Sequence, residues 1–206
     1  MLKEVIDFLF PPLCYACTEK LSEDFLCEDC WKDIMGNTVF ESEYYYGFKV
    51  YSLFSYNGKV KNIVQNFKYG GFRKIANKFS KHLAEMVSDE EIDVIVPIPL
   101  HPARVRERGF SQTFELAKVL SKELKKPVRN YIFRHSYRKV QALISSRDER
   151  MKNVKGVFSY LRRIDNEKVL LVDDVITTGY TFYEAAKTLI EAGARDVIGI
   201  TLAKGG

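Results

Sequence analysis

Residues 169–181 read VLLVDDVITTGYT. The four apolar residues Val169, Leu170, Leu171 and Val172 suit a strand buried on both faces, as in a parallel sheet. Two adjacent carboxylates, Asp173 and Asp174, close that strand. The hydroxyl- and glycine-rich run Thr177-Thr178-Gly179-Tyr180-Thr181 then leads into a helical pattern from Phe182 to Ala192. In an open α/β sheet, ligands bind beyond the carboxyl ends of the strands, and a helix N-terminus offers unpaired N–H groups with partial positive charge. The loop therefore suits a phosphate, and the acids suit sugar hydroxyls or a metal-bound sugar. A buried strand with an acidic turn and a threonine cap would account for any one of these residues, but not for two acids and the TTGYT loop together.

These positions resemble the signature of type I phosphoribosyltransferases, which bind phosphoribosyl pyrophosphate (PRPP). The resemblance implies that Asp173 and Asp174 lie beside the ribose hydroxyls and that Thr177, Thr178, Gly179 and Thr181 wrap the 5′-phosphate. Tyr180 stands where a small residue is commoner, adding a bulky group beside the pocket.

Downstream, Gly193 marks the end of the helix and Val197 to Ala203 reads as a last buried strand, so that 169–203 forms a βαβ unit in a parallel sheet. Upstream, Ile92 to Pro97 reads as another buried strand, and Val128 to Phe133 as a second one after it. The fold class is thus α/β, with a parallel-sheet domain over 38–206 and a small N-terminal module over 1–37.

That module holds all four cysteines, Cys14, Cys17, Cys27 and Cys30, spaced C-x2-C-x9-C-x2-C. Two CxxC knuckles place four thiolates around one ion at about 2.3 Å, and a closed four-sulphur site is structural rather than catalytic. Zinc is the expected metal, in a zinc-ribbon-like module too small to fold on apolar burial alone. Phe25, Leu26 and Trp31 are expected to pack around the knuckles. Before them, Leu2, Val5, Ile6, Leu9 and Phe10 line one face of a short helix stopped by Pro11 and Pro12.

Between the module and the first buried strand, residues 38–57 alternate like an antiparallel hairpin and hold five of the twelve tyrosines, including Tyr44-Tyr45-Tyr46. This stretch reads as a β-rich cover whose aromatics fill a core rather than stack on bases. Two amphipathic helices follow. One runs from Gly58 to Lys68-Tyr69-Gly70-Gly71, the other through Ile75, Phe79, Leu83 and Met86, with His82 as a packed or surface histidine.

Charge is divided unevenly. Residues 104–163 carry 17 Lys/Arg against 5 Asp/Glu, a local +12, while the remainder is −7 within a net +5. Such a field attracts phosphates, of a small polyanion or of a nucleic acid. No apolar run approaches the ~20 residues of a membrane span, and MLKEVIDFLFPP lacks the apolar core of a signal peptide, so a cytoplasmic protein is expected.

The stretch PIPLHPARVRERGFSQ, residues 97–112, adds prolines at 97, 99 and 102, which predict an extended loop instead of a helix, with Arg104, Arg106 and Arg108 on a turn ended by Gly109. A helix then runs from about Ser111 to Leu124. Together with the signature, this stretch is similar to the ComF proteins of natural transformation, which join a four-cysteine zinc module to a phosphoribosyltransferase-like domain. The resemblance places Pro99, Leu100 and His101 at the pyrophosphate of PRPP. It makes the basic segment 134–155, with Arg138, Lys139, Gln141, Arg147 and Arg150, a closing loop, in which Arg138 replaces a common threonine. His135 in that loop reads as solvated.

Three functions remain open at this stage. One is a competence factor that binds PRPP and single-stranded DNA, working with a helicase or recombination protein at the inner face of the membrane. Another is an active Mg2+-dependent phosphoribosyltransferase acting on a nucleobase or amine. The third is a zinc-ribbon interaction protein with a vestigial sugar-phosphate site.

Overall fold

The computed structural model describes residues 13–20, 22, 25–69, 72–135 and 156–205, with the backbone alone at 69 and 72–74. The expected helix over 1–10, Gly70, Gly71 and the loop residues Arg138, Lys139, Gln141, Arg147 and Arg150 lie outside these.

The chain begins with the cysteine knuckles and α1 (Glu28–Gly36), followed by β1 (Thr38–Tyr45) and β2 (Phe48–Ser55). Next come α2 (Gly58–Tyr69), α3 (Phe72–Met86), β3 (Val94–Pro97), α4 (Pro102–Arg108) and α5 (Gln112–Leu124). A short pair, β4 (Ile132–Arg134) and β5 (Phe158–Tyr160), precedes β6 (Lys168–Ile176), α6 (Tyr180–Glu191) and β7 (Asp196–Lys204).

One five-stranded sheet, ordered β1-β2-β7-β6-β3, organises the protein; β1 is antiparallel to β2 and the other pairings are parallel. Strand alternation divides the core in two. Leu170, Val172, Ile198 and Ile200 face a layer that includes Phe67, Phe79, Leu83, Leu116 and Leu120. Val169, Leu171 and Val197 face Phe182, Ala185, Ala186 and Leu189 of α6. A strand covered on both faces needs apolar residues at every position, and β6 has them up to its acids.

Three expectations change. Residues 38–57 do form a hairpin, turning through Tyr46 and Gly47 at φ +53 and +91 as a two-residue hairpin loop requires. It is no cover, however, because β2 pairs directly with β7 and extends the sheet. The strand expected at Val128–Phe133 is a single bridge, Ile95 to Val128, and the ladder begins only at Ile132, in a separate pair with β5. Pro127, with no N–H, cannot lengthen that contact upstream, and the exposed Arg129-Asn130 carries the chain away from the sheet. Finally, Pro102 starts a helix. His101 caps it, its Nδ1 accepting the Ala103 N–H at 3.1 Å, and Pro102 takes the first turn, where a missing N–H costs nothing. Gly109 ends it at φ +76.

At the amino end of the parallel strands, Glu90 gathers Lys168 at 2.8 Å, Tyr51 Oη at 2.7 Å and Lys49 at 3.1 Å, tying β6 and β2 to the turn after α3. Hydrogen bonds from Lys168 and then Tyr51 hold its carboxyl down at about 2. A depressed folded value contributes stability above the ordinary carboxylate range and loses it as pH falls toward 2. We predict that Glu90→Gln lowers the Tm at pH 7 by roughly 3–8 °C and that the gap to wild type closes between pH 4.5 and 2. Thermal scans across that range check this; a gap constant with pH would contradict the assignment.

Candidate functional site

Consecutive residues on a strand point to opposite faces, so the two acids at the end of β6 have different surroundings. Asp174 is 7% exposed and faces the helical layer: its Oδ2 lies 3.2 Å from Lys68 Nζ on α2 and accepts Gln112 Nε2 of α5 at 3.4 Å. Its Oδ1 accepts the Val175 N–H at 3.0 Å. Asp173 is paired in register with Thr201 and accepts the Asp174 N–H at 2.8 Å. Burial, then the neighbouring Asp174 charge, pushes Asp173 well above the usual carboxylate range. A carboxyl that holds its proton this way gains by meeting a cation.

On its side of the sheet Asp173 lies in the field of Arg134, the last residue of β4. Burial lowers the affinity of that guanidinium for its proton, Asp173 raises it and Arg104 of α4 lowers it, so the three charges share one region. Arg134 lies over the Phe158 ring, 5.6 Å from its centroid, and its Nε is buried without a hydrogen-bond partner among the described residues.

The loop after β6 is exposed at Thr177, half-buried at Thr178, Tyr180 and Thr181, and buried at Gly179. Gly179 stands at φ +72 and caps α6, and its Cα meets the Tyr45 ring so closely that an added Cβ would lie 2.3 Å from Cδ1. The β1–β2 turn therefore backs the loop directly. Tyr45 Oη donates to Glu43 at 3.1 Å, and Lys204 pairs with Glu43 and, at 2.6 Å, with Glu41. The Tyr180 ring joins Tyr46 and Tyr183, at 6.0 and 5.9 Å.

The segment after β3 is pinned beside this edge, with the Ile98 N–H donating to Val172 O at 2.9 Å and Thr113 Oγ1 donating to Ile98 O at 2.8 Å. Pro99, Leu100 and His101 follow, half-buried. Arg104 and Arg108 are half-buried on α4 and Arg106 is exposed. His135 is exposed beyond β4, as read from the sequence.

The second cluster is the cysteines. Their four sulphurs lie within 4.8 Å of one another, and the Cys27 N–H donates to Cys14 Sγ at 3.3 Å. Tetrahedral zinc–thiolate geometry asks for sulphurs about 3.8 Å apart, so the set fits the ion with a slight contraction. Burial works against the Cys14 thiolate, yet backbone N–H groups of Cys17, Cys27 and Ala16 outweigh it and bring the thiol to about 6. At Cys30, burial and the neighbouring sulphurs push the thiol up to about 12. The last proton leaves readily only when a cation takes its place. Asn62 and Asn66 of α2 donate to Ala16 O and Tyr15 O at 2.8 and 3.2 Å, and Trp31 stacks on Phe79 of α3 at 5.7 Å. Trp31 packs on the buried cluster that includes Cys14, Cys27 and Cys30 and also joins the module to the sheet domain, with the His82 ring at 6.1 Å.

Residues 69–206 match the model of the phosphoribosyl transferase domain. The chain belongs to that family. Residues 5–39 match the double zinc ribbon domain, in agreement with the sulphur cluster. The chain is 28% identical over 223 residues to competence protein ComFC of Bacillus subtilis, spanning 95% of this chain and 86% of that protein. It is 29% identical over 143 residues to the DNA utilization protein YhgH of Escherichia coli K12, spanning 66% and 63%. Among solved structures, glutamine PRPP amidotransferase from B. subtilis is 23% identical, with a TM-score of 0.43 over 70% of this chain and 28% of that one. Among the described residues, no helix is long and apolar enough to cross a membrane.

Sequence reasoning assigned no role to Tyr45, Lys68 or Arg134. Lys68 sits in the last turn of a helix, where a cation is expected for the dipole alone, and Arg134 is one arginine in a basic run. Tyr45 is one of three tyrosines in a row, with nothing local to single it out.

The Tyr45 contact is open to test. Gly179→Ala is expected to destabilise by about 2–4 kcal/mol, combining backbone strain with the clash. In a Tyr45→Ala background, where of the close side-chain atoms the Cβ at 2.9 Å remains, the same change should cost distinctly less. Equal costs in the two backgrounds, by chemical denaturation, would rule the contact out.

Proposed function

We propose that this protein is a ComF-type competence factor whose phosphoribosyl transferase pocket binds PRPP with Mg2+ and which also binds incoming single-stranded DNA. One observation carries the reading: an acid pair, Asp174 buried and Asp173 half-buried, and a glycine loop at the carboxyl edge of a parallel sheet, with Lys68, Arg104 and Arg134 around them. Asp173 and Asp174 serve the ribose side, and Thr177, Thr178, Gly179 and Thr181 take the 5′-phosphate. Pro99, Leu100 and His101 line the pyrophosphate, where Mg2+ neutralises charge. Arg104, Arg106 and Arg108, with Arg138 and Lys139, supply the field for phosphates of ligand or DNA. The relatives named for competence and DNA utilization support the DNA role, and a helicase or recombination protein is the expected partner.

The intact acid pair and loop also favour an active phosphoribosyltransferase. Release of pyrophosphate from PRPP across a panel of bases and amines separates that reading from pure ligand binding.

PRPP with Mg2+ is expected to raise the Tm of the wild-type chain, at 100 times its Kd by the equivalent of about 2.7 kcal/mol. Asp173→Ala with Asp174→Ala should abolish the shift, and a shift that survives the double substitution refutes the assignment. Single-stranded DNA is expected to bind with an affinity that falls steeply with salt, each neutralised phosphate adding about 0.7 to the log–log slope. Absence of binding at low salt, measured by fluorescence anisotropy, would remove the DNA role.

A further inference from the structure

Gln112 opens α5 and is only 2% exposed. Its amide is asymmetric: Nε2 donates to Asp174 Oδ2 at 3.4 Å, whereas Oε1 is buried with no hydrogen-bond partner among the described residues. Buried acceptors nearly always find a donor, so an orphan beside an acid pair calls for a reason. Flipping the amide does not help, because Oε1 would then face the Asp174 oxygen, acceptor against acceptor. Lys68 Nζ, 3.2 Å from the same Asp174 oxygen, adds a second donor on the side that the Gln112 amide nitrogen faces. With Val175 N–H on its other oxygen, Asp174 is occupied by protein groups on both sides. Asp173 accepts a single hydrogen bond among the described residues, from the Asp174 N–H. The two acids are therefore unequal, one held by Lys68, Gln112 and a backbone N–H and the other by a backbone N–H among the described residues.

We propose that Gln112 is a ligand-binding residue that reads a sugar hydroxyl: its Oε1 accepts the O–H of the bound sugar, and the Lys68–Asp174 pair holds the amide so that an acceptor is presented. Asp174 is then a positioning residue, and Asp173 is the acid that meets the ligand. Lys68 keeps 25% of its side-chain exposure, against 9% for Asp174. A site built to accept a hydroxyl rejects ligands that lack one, because its buried acceptor then stays unpaired. The specificity is for a sugar phosphate over a bare phosphate, and the inference rests on the sugar-phosphate reading of the pocket given above.

The test compares ribose 5-phosphate with inorganic phosphate by calorimetry on the full chain, for wild type, Gln112→Met and Lys68→Met. Methionine matches the glutamine in length and volume but has no amide. Wild type should prefer the sugar phosphate. In Gln112→Met that preference should fall roughly five- to tenfold through loss of the sugar affinity alone, with phosphate binding unchanged. Lys68→Met should lower the same ratio by a smaller factor, because the amide loses its clamp. The substitution removes an unsatisfied acceptor together with the long 3.4 Å donor contact to Asp174, so Gln112→Met should stay near the wild-type Tm. An unchanged ratio in Gln112→Met overturns the role of Gln112, as does a Tm drop showing that the amide serves the fold. Wild-type protein with no preference for the sugar phosphate overturns the sugar-phosphate reading itself.

Discussion

Everything in this protein depends on a strand that is buried on both faces and ends in two charges. β6 lies between β7 and β3, with Leu170 and Val172 in one half of the core and Val169 and Leu171 in the other. Because side chains alternate, the chain cannot finish such a strand with two carboxylates without sending one to each side. Each then needs its own compensation. Asp174 has it in Lys68, Gln112 and a backbone N–H, all within the protein. Asp173 has the more distant Arg134 and is left favouring its proton. The pocket follows from this unequal settlement of a buried double charge more than from any single loop.

Local pattern made much of the fold legible. An apolar run with acids at its end, a C-x2-C-x9-C-x2-C spacing and apolar residues three and four apart each report a structure that forms within a few turns of chain. What stayed hidden was set by partners far away. Whether residues 38–57 cover a sheet or extend it depends on β7, about 150 residues later, and alternation in the hairpin looks the same either way. Pro102 was read as a helix breaker because the rule concerns helix interiors, whereas His101 supplies a cap that makes proline a good first residue. Arg134 and Tyr45 gain their meaning from Asp173 and Gly179, which no spacing rule connects to them.

The four-cysteine module is continuous with the rest of the core. Cys14, Ala16, Phe25 and Ile34 belong to the same buried cluster as Phe67, Phe79 and Leu83. Asn62 and Asn66 satisfy its carbonyls, and Trp31 lies on Phe79 with the Lys78 ammonium 4.7 Å from its ring centroid. A module anchored by apolar contact, hydrogen bonds and a cation–π contact has little freedom to move as a separate unit. From α1, a single residue, Asn37, leads into β1, whose far end carries Tyr45 to the loop at Gly179.

The sheet order also sets a timetable for the chain as it is made. β2 is an inner strand of the finished sheet, yet its parallel neighbour β7 is the last element in the sequence. At about 5–20 residues per second, β2 waits on the order of ten seconds before that neighbour exists. During this interval one edge of an aromatic-rich hairpin is unpaired, the kind of surface on which nascent chains stick to one another. The cysteines all lie within the first thirty residues and the hairpin starts at Thr38, so a metal-closed knot can be complete just ahead of the waiting strand. The ion that does no chemistry in the finished molecule would then act earliest, as a stay for a strand whose partner has yet to be synthesised.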